Sequence, residues 1–120
     1  VLLGTPVIGS LSGRRLARHA PGRWMLGESA ALWREGRAAR WSRPEALGVI
    51  AGTTPFGLGR VIGRLTGQND GVVCVEETAV DGMAERAVMR VSHSAMLVSA
   101  RVAENVSRFL THGRFSALKR

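Results

Sequence analysis

Residues 46–52 read ALGVIAG, and this run contains no charged or polar side chain. A strand covered on both faces by other elements has this unbroken apolar character, whereas a strand with one wet face alternates. Residues 1–4 (VLLG) and 85–91 (ERAVMRV) are also predicted strands, and residues 72–75 (VVCV) fit either a strand or the start of a helix. Because predicted helices separate the strands, the sequence predicts an α/β fold with a mostly parallel sheet.

The most strongly patterned helix is predicted at residues 95–110, where apolar and polar side chains segregate onto opposite faces. The apolar face comprises Val98, Val102, Val106, Phe109 and Leu110, and the polar face comprises Arg101, Glu104, Asn105 and Arg108. Gly113 is well placed to end this helix. Shorter helices are predicted at residues 28–40 and 58–65.

A chain of 120 residues has room for one domain. Its apolar share of 45% is that of a globular protein, and no run of 18 apolar residues predicts a transmembrane segment. Three predicted strands make a thin sheet with a long uncovered edge, and the chain opens at Val1 inside an apolar run. We therefore expect residues 1–120 to be a single partial α/β domain of a longer protein.

The chain is basic, with 17 Lys and Arg against 9 Asp and Glu and a formal net charge of +8. Such a balance is typical of proteins that bind nucleic acids or anionic membranes. Its distribution weakens that interpretation, because residues 68–85 contain five acidic side chains and no basic one. Lys119 is the only lysine, so the excess of arginine also fits a genomic codon bias. A nucleic-acid partner is therefore disfavoured.

Neither a metal site nor a nucleotide site is indicated by the sequence. Cys74 is the only cysteine, and its apolar neighbours predict a core position. A single cysteine allows no disulfide within the chain, which is compatible with a reducing compartment such as the cytoplasm. Residues 57–63 carry glycines at GxGxxxG spacing and not at the GxGxxG spacing of dinucleotide-binding loops. His19 and His112 are predicted to lie on the surface.

Asp70 and His93 are the candidate catalytic residues. Functional groups in open α/β sheets gather beyond the carboxyl ends of the strands, and both residues fall in predicted loops at that edge. A carboxylate there can hold an imidazole in one tautomer and stabilise the imidazolium that forms when the ring accepts a proton. The structural alternative is that Asp70 only binds turn amides and that Ser92 or Ser94 only caps the last helix.

Five segments carry a resemblance to a known family, and they occur in the same order as in that family. They are residues 2–10 (LLGTPVIGS), 46–53 (ALGVIAGT), 68–78 (QNDGVVCVEET), 91–97 (VSHSAML) and 109–115 (FLTHGRF). Together they resemble lipase-like and esterase-like serine α/β-hydrolases, in which a loop commonly written LGTPxxGS follows the nucleophile helix. NDGVV followed by a strand and SHxxM is a more specific pattern than Asp and His alone.

The resemblance implies the C-terminal part of an α/β-hydrolase fold, with Asp70 as the triad acid and His93 as the general base. The acid precedes the histidine in the chain, as it does in that family. Asp81 stays open as a second candidate acid, although Asp70 fits the motif better. The nucleophilic serine is expected upstream, because no GxSxG occurs in the chain and Ser10 is not on such a motif. The implied reaction needs no metal or organic cofactor.

Residues 11–44 are expected to form a helical, lid-like insertion, and residues 46–120 the core that carries the acid and the histidine. The candidate substrate-binding residues are Trp24, Leu26, Leu32 and Trp33. For the tryptophans, the alternative is ordinary burial against the sheet.

The expected function is hydrolysis of carboxylic esters or lipids, with a small-molecule ester as substrate and a missing N-terminal half of the fold as partner. The chain alone is expected to be inactive or nearly so, because it lacks a nucleophile and oxyanion donors. The alternative is a non-catalytic, hydrolase-like domain that serves for binding or as a scaffold.

Overall fold

A computed structural model describes residues 1–7, 40–56, 65 and 67–116. Within these residues three strands are present: β1 (Leu2–Leu3), β2 (Gly48–Gly52) and β3 (Glu85–Met89). Two short 3-10 helices span Val75–Thr78 and Ser94–Leu97, and one α-helix, α1, spans Ala100–His112. These strands and helices confirm the α/β class that the sequence predicts.

The three strands form one parallel sheet in the order β1-β2-β3. Leu3 pairs with Ile50, and Gly52 pairs with Met89, so the carboxyl ends of all three strands lie at one edge. All three strands that the sequence predicts are present with shorter bounds. Residues 72–75 are not a strand; Val75 instead begins the first 3-10 helix.

Strand β2 is buried along its whole length, as its unbroken apolar sequence predicts. Because successive side chains of a strand point to opposite faces, Val49 and Ile50 belong to two different core clusters. Ile50 packs on the face covered by α1, together with Ala87, Met89, Val91, Met96, Val102, Phe109 and Phe115. Val49 packs on the other face with Leu47 and Val80, against which Leu2, Val7, Trp41 and Met83 are partly buried.

The final helix differs from its prediction at its start and in its buried face. Ser99 is the N-cap of α1, and its hydroxyl accepts a hydrogen bond from the N–H of Val102 at 3.4 Å. Val98 therefore lies before the helix, and the residue is 86% exposed. Leu110 is 71% exposed. Val98 is thus not part of the helix, and Leu110, although helical, is not buried in the core.

The buried side chains of α1 are Val102, Asn105 and Phe109. Asn105, predicted on the polar face, is buried because both ends of its amide are satisfied. Its Nδ2 donates to the carbonyl of Arg101 at 2.8 Å, and its Oδ1 accepts from the N–H of Ser116 at 3.1 Å. The predicted end of the helix is confirmed, since Gly113 adopts a left-handed φ of 70° and donates to the carbonyl of Phe109 at 2.7 Å.

Most of the predicted insertion lies outside the described residues, as do the helices predicted at residues 28–40 and 58–65 apart from their last residues. Arg40, at the end of the first of these helices, forms a parallel backbone bridge with Asp81. In the part of the chain that the structure describes, no helix combines the length and the hydropathy needed to cross a membrane.

Candidate functional site

Asp70 and His93 meet at the carboxyl edge of the sheet. Asp70 lies in the connection from β2 to β3, and His93 lies in the loop that follows β3. The Asp70 Oδ2 and His93 Nδ1 atoms are 2.8 Å apart. The backbone N–H of His93 also donates to the carbonyl oxygen of Asp70 at 2.9 Å. The two loops are thus joined through both side chain and backbone.

The carboxylate of Asp70 is buried, with only 1% of its side chain exposed. Its second oxygen, Oδ1, accepts hydrogen bonds from the N–H groups of Val72 at 2.9 Å and Val73 at 2.7 Å. These amide donors hold the anion in place. Asp70 therefore does not bind turn amides alone, because Oδ1 binds them while Oδ2 binds His93.

Asn69 secures the loop that presents Asp70. Its Nδ2 donates to the carbonyl of Gly67 at 2.9 Å, and its Oδ1 accepts from the N–H of Gly71 at 3.1 Å. The N–H of Asp70 in turn donates to the carbonyl of Val73 at 3.1 Å. The side-chain position of Asp70 is consequently set by a short, hydrogen-bonded turn.

The imidazole of His93 is partly open to solvent, with 37% of its side chain exposed. The hydrogen bond to Asp70 raises the pKa of His93 above its ordinary value, burial lowers it, and the charge of Asp70 raises it again; the net shift is upward. Since an ionised carboxylate can only accept, Nδ1 carries the hydrogen, and in the neutral ring Nε2 is the acceptor. Among the described residues, the hydrogen bonds of this ring go to Asp70 alone.

Two glycines at strand ends, Gly4 and Gly52, lie against this pair, and neither is among the site residues that the sequence predicts. A Cβ on Gly4 would lie 2.8 Å from Asp70 Oδ2 and 3.0 Å from His93 Nδ1. A Cβ on Gly52 would meet the carbonyl oxygen of Val91 and would lie 2.6 Å from Met96 Cε and 2.7 Å from Asp70 Cβ, so this glycine leaves space for the segment after β3 as well as for Asp70. A glycine at the end of a buried strand often marks such a close approach, and this is the signal that could have identified both.

The other candidate acid does not reach His93. The Oδ2 of Asp81 lies 3.8 Å from Nε of Arg40, and both side chains are exposed. The last helix is capped by Ser99, so the alternative in which Ser92 or Ser94 caps it is wrong.

His112 and Cys74 lie where the sequence predicts them. The surface position predicted for His112 is confirmed at the end of α1, and the core position predicted for Cys74 is confirmed by its burial. Ser10, His19 and the proposed substrate-binding residues Trp24, Leu26, Leu32 and Trp33 lie outside the described residues. Among the residues that the structure does describe, no cluster of three or more His, Cys, Asp or Glu side chains could hold a metal ion.

An apolar groove of about 610 Å³ runs beside α1. Leu3 and Met96 line one part of it, and Val102, Val106 and Leu110 line the part along the helix. Neither Asp70 nor His93 contributes to its walls. The groove is therefore separate from the acid–histidine pair.

Comparisons of the chain with protein-family models, with curated proteins and with solved structures gave no match. What the chain can do is therefore inferred from its residues and from the geometry at the carboxyl edge of the sheet.

Proposed function

We propose that Asp70 and His93 are the acid and the general base of a serine hydrolase that cleaves carboxylic esters or lipids. The observation that carries this proposal is the 2.8 Å contact between Asp70 Oδ2 and His93 Nδ1. Its position beyond the carboxyl ends of parallel strands is where α/β folds place their chemistry. The resemblance of five ordered sequence segments to lipase-like hydrolases supports the same conclusion.

The pair has the arrangement that proton transfer requires. In the proposed reaction, a serine hydroxyl attacks the acyl carbon of the ester while Nε2 of His93 takes the hydroxyl proton. Asp70 holds the ring and stabilises the imidazolium that results. His93 then gives this proton to the departing alcohol, and an acyl-enzyme remains. Water attacks the acyl-enzyme by the same route, which releases the acid and restores the serine.

The serine and the oxyanion donors belong to a segment outside this chain in our proposal, because no GxSxG occurs in it. That segment would form the N-terminal half of an α/β-hydrolase fold, and residues 11–44 would form a lid-like insertion. Trp24, Leu26, Leu32 and Trp33 are the residues we propose for the apolar substrate surface. No metal or organic cofactor takes part in the proposed reaction.

The test uses the longest natural open reading frame that contains these residues, expressed as one protein and assayed with short-chain p-nitrophenyl esters. His93→Ala is expected to lower kcat by about 10⁶-fold and Asp70→Asn by about 10⁴-fold, the costs typical of losing the base and the acid of a triad. His112→Ala and Asp81→Asn are the matched controls, since each changes an exposed residue of the same type and is expected to leave turnover unchanged.

Turnover in His93→Ala or Asp70→Asn that equals the wild-type rate would refute the assignment of the triad. A reading frame without an upstream GxSxG, combined with no hydrolysis, would favour the non-catalytic alternative of a binding or scaffold domain.

A further inference from the structure

We propose that Gly4 is a positioning residue for the Asp70–His93 pair, and that the absence of its side chain allows the two groups to bond. This inference rests on the proposed function only for its catalytic consequence. The positioning itself concerns atoms of the chain and can be measured without any substrate.

The space beside Gly4 is already filled by the pair. A Cβ at this position would lie 2.8 Å from Asp70 Oδ2, 3.0 Å from His93 Nδ1 and 3.3 Å from His93 Cε1. These are the two atoms that form the hydrogen bond and a neighbouring ring carbon. Contacts under 3.0 Å to a Cβ are too close to persist, so any other residue at position 4 forces one of the groups to move.

Hydrogen bonds hold both the backbone of Gly4 and the carboxylate of Asp70 in place. The N–H of Gly4 donates to the carbonyl of Ile50 at 2.8 Å, which ties the end of β1 to β2. Asp70 is buried, and its Oδ1 is held by the N–H groups of Val72 and Val73. His93 has more than a third of its side chain exposed and can swing toward solvent. Because the shortest contact is to the fixed Asp70 Oδ2, a side chain at position 4 has to shift that carboxylate or the end of β1, and it also crowds the His93 ring. We therefore expect it to pull the two groups apart, with the His93 ring moving toward solvent, and to break the bond between His93 and Asp70.

The backbone conformation of Gly4 adds a separate cost that the experiment must isolate. Its φ is +51°, in the left-handed region that favours glycine. Gly113 has a φ of +70°, and a Cβ there would meet nothing within 4 Å. Gly113→Ala thus introduces comparable backbone strain without a new contact, which makes it a matched control for Gly4→Ala.

The experiment follows His93 in the chain by NMR, using the low-field Nδ1–H resonance and a titration of the ring. In Gly4→Ala we expect the Nδ1–H resonance to be lost and the pKa of His93 to fall, because the hydrogen bond that raises it is gone. Gly113→Ala should retain both properties. A Gly4→Ala chain that keeps the resonance and the raised pKa would overturn the proposal, as would the same loss in Gly113→Ala.

A second variant covers the case in which Gly4→Ala does not fold. Asp70→Ser removes Oδ2 but keeps one side-chain oxygen for the turn amides. If the clash with the pair is what unfolds Gly4→Ala, adding Asp70→Ser should restore folding, as seen by circular dichroism. A double variant that stays unfolded, while Asp70→Ser alone folds, would place the cost in the backbone and refute a role in positioning the pair.

An activity measurement distinguishes a failure of this inference from a failure of the proposed function. In the complete protein, Gly4→Ala should lower kcat at least tenfold with KM nearly unchanged, and should move the acidic limb of the pH–rate profile to lower pH. If NMR shows a broken pair but the wild-type protein hydrolyses no ester, the positioning role stands and the proposed function falls.

Discussion

The Oδ2 atom of Asp70 lies 2.8 Å from Nδ1 of His93, and the carbonyl oxygen of Asp70 accepts the backbone N–H of the same histidine at 2.9 Å. The second bond joins two loops whose residues are 23 positions apart in the chain. Because it involves only backbone atoms, it does not depend directly on either side chain, and we expect it to remain when one of them is replaced. Substitutions at the pair can therefore be interpreted as changes to the side-chain interaction within an otherwise similar loop arrangement.

Asp70→Asn is expected to lower the pKa of His93. The substitution removes the charge and the charge-assisted hydrogen bond that raise this pKa, while the amide oxygen of asparagine can still accept from the N–H groups of Val72 and Val73. The measurement is an NMR titration of the ring, with Asp81→Asn as the control that leaves the pKa unchanged. An equal pKa in wild type and Asp70→Asn would contradict the account.

The stability that His93 contributes should decrease as the pH rises. Its pKa is raised in the folded chain, so its contribution is fully present below the unfolded pKa of about 6.5 and is lost as pH rises through the folded pKa. The free energies of unfolding of wild type and His93→Gln should therefore differ more near pH 5.5 than near pH 9. Solvent screens the half-exposed ring, which limits the effect to about 1 kcal/mol or less. A difference in unfolding free energy between wild type and His93→Gln that grows toward alkaline pH would contradict this prediction.

Asn69→Ala should loosen the turn that presents Asp70. The variant loses the hydrogen bonds to Gly67 and Gly71 and leaves the buried N–H of Gly71 without its acceptor, a cost of about 1–3 kcal/mol. Urea denaturation gives the free energy of unfolding, and hydrogen exchange at the Gly71 amide reports local opening. The neighbouring exposed residue provides the control, since Gln68→Ala should change stability by about 0.5 kcal/mol at most. Similar costs for the two variants would argue against a role for the Asn69 side chain.

Substitutions in α1 test which face of the helix packs on the sheet. Val102 is buried in the cluster that contains Ile50, so Val102→Ala should cost about 1–3 kcal/mol of unfolding free energy. Leu110 is 71% exposed, and Leu110→Ala in the same chain should cost about 0.5 kcal/mol or less. The measurement is the free energy of unfolding of both variants, obtained from thermal and urea denaturation. A larger loss of unfolding free energy in Leu110→Ala than in Val102→Ala would show that the face containing Leu110 packs on the sheet.

The sequence alone predicts the strands and places Asp70 and His93 in loops that follow them, because these features depend on local patterns. An unbroken apolar run such as residues 46–52 predicts a doubly covered strand wherever it occurs. A parallel sheet then places the loops that follow its strands at one edge, which brings Asp70 and His93 to the same side before any distance is known. Gly113 could likewise be assigned as the helix end, since the left-handed terminus is a local requirement.

The buried face of α1 could not be obtained in this way. Val98, Val102 and Leu110 are all apolar, and helical periodicity places them near one another. Which of them is buried depends on where Ser99 starts the helix and on how the sheet lies beneath it. These are relations between distant parts of the chain, so a local pattern does not contain them.

The site shows the same division between local pattern and tertiary contact. Asp70 and Asp81 are both loop carboxylates upstream of His93, and the sequence left both open as the acid. Only the folded chain distinguishes them, because it brings Asp70 within 2.8 Å of the imidazole and Asp81 to the exposed Arg40. The close approach of Gly4 to the pair is also a tertiary contact, between the end of one strand and two loops that come later in the chain. Residue types and their order determined which groups were present, and packing decided which of them touch.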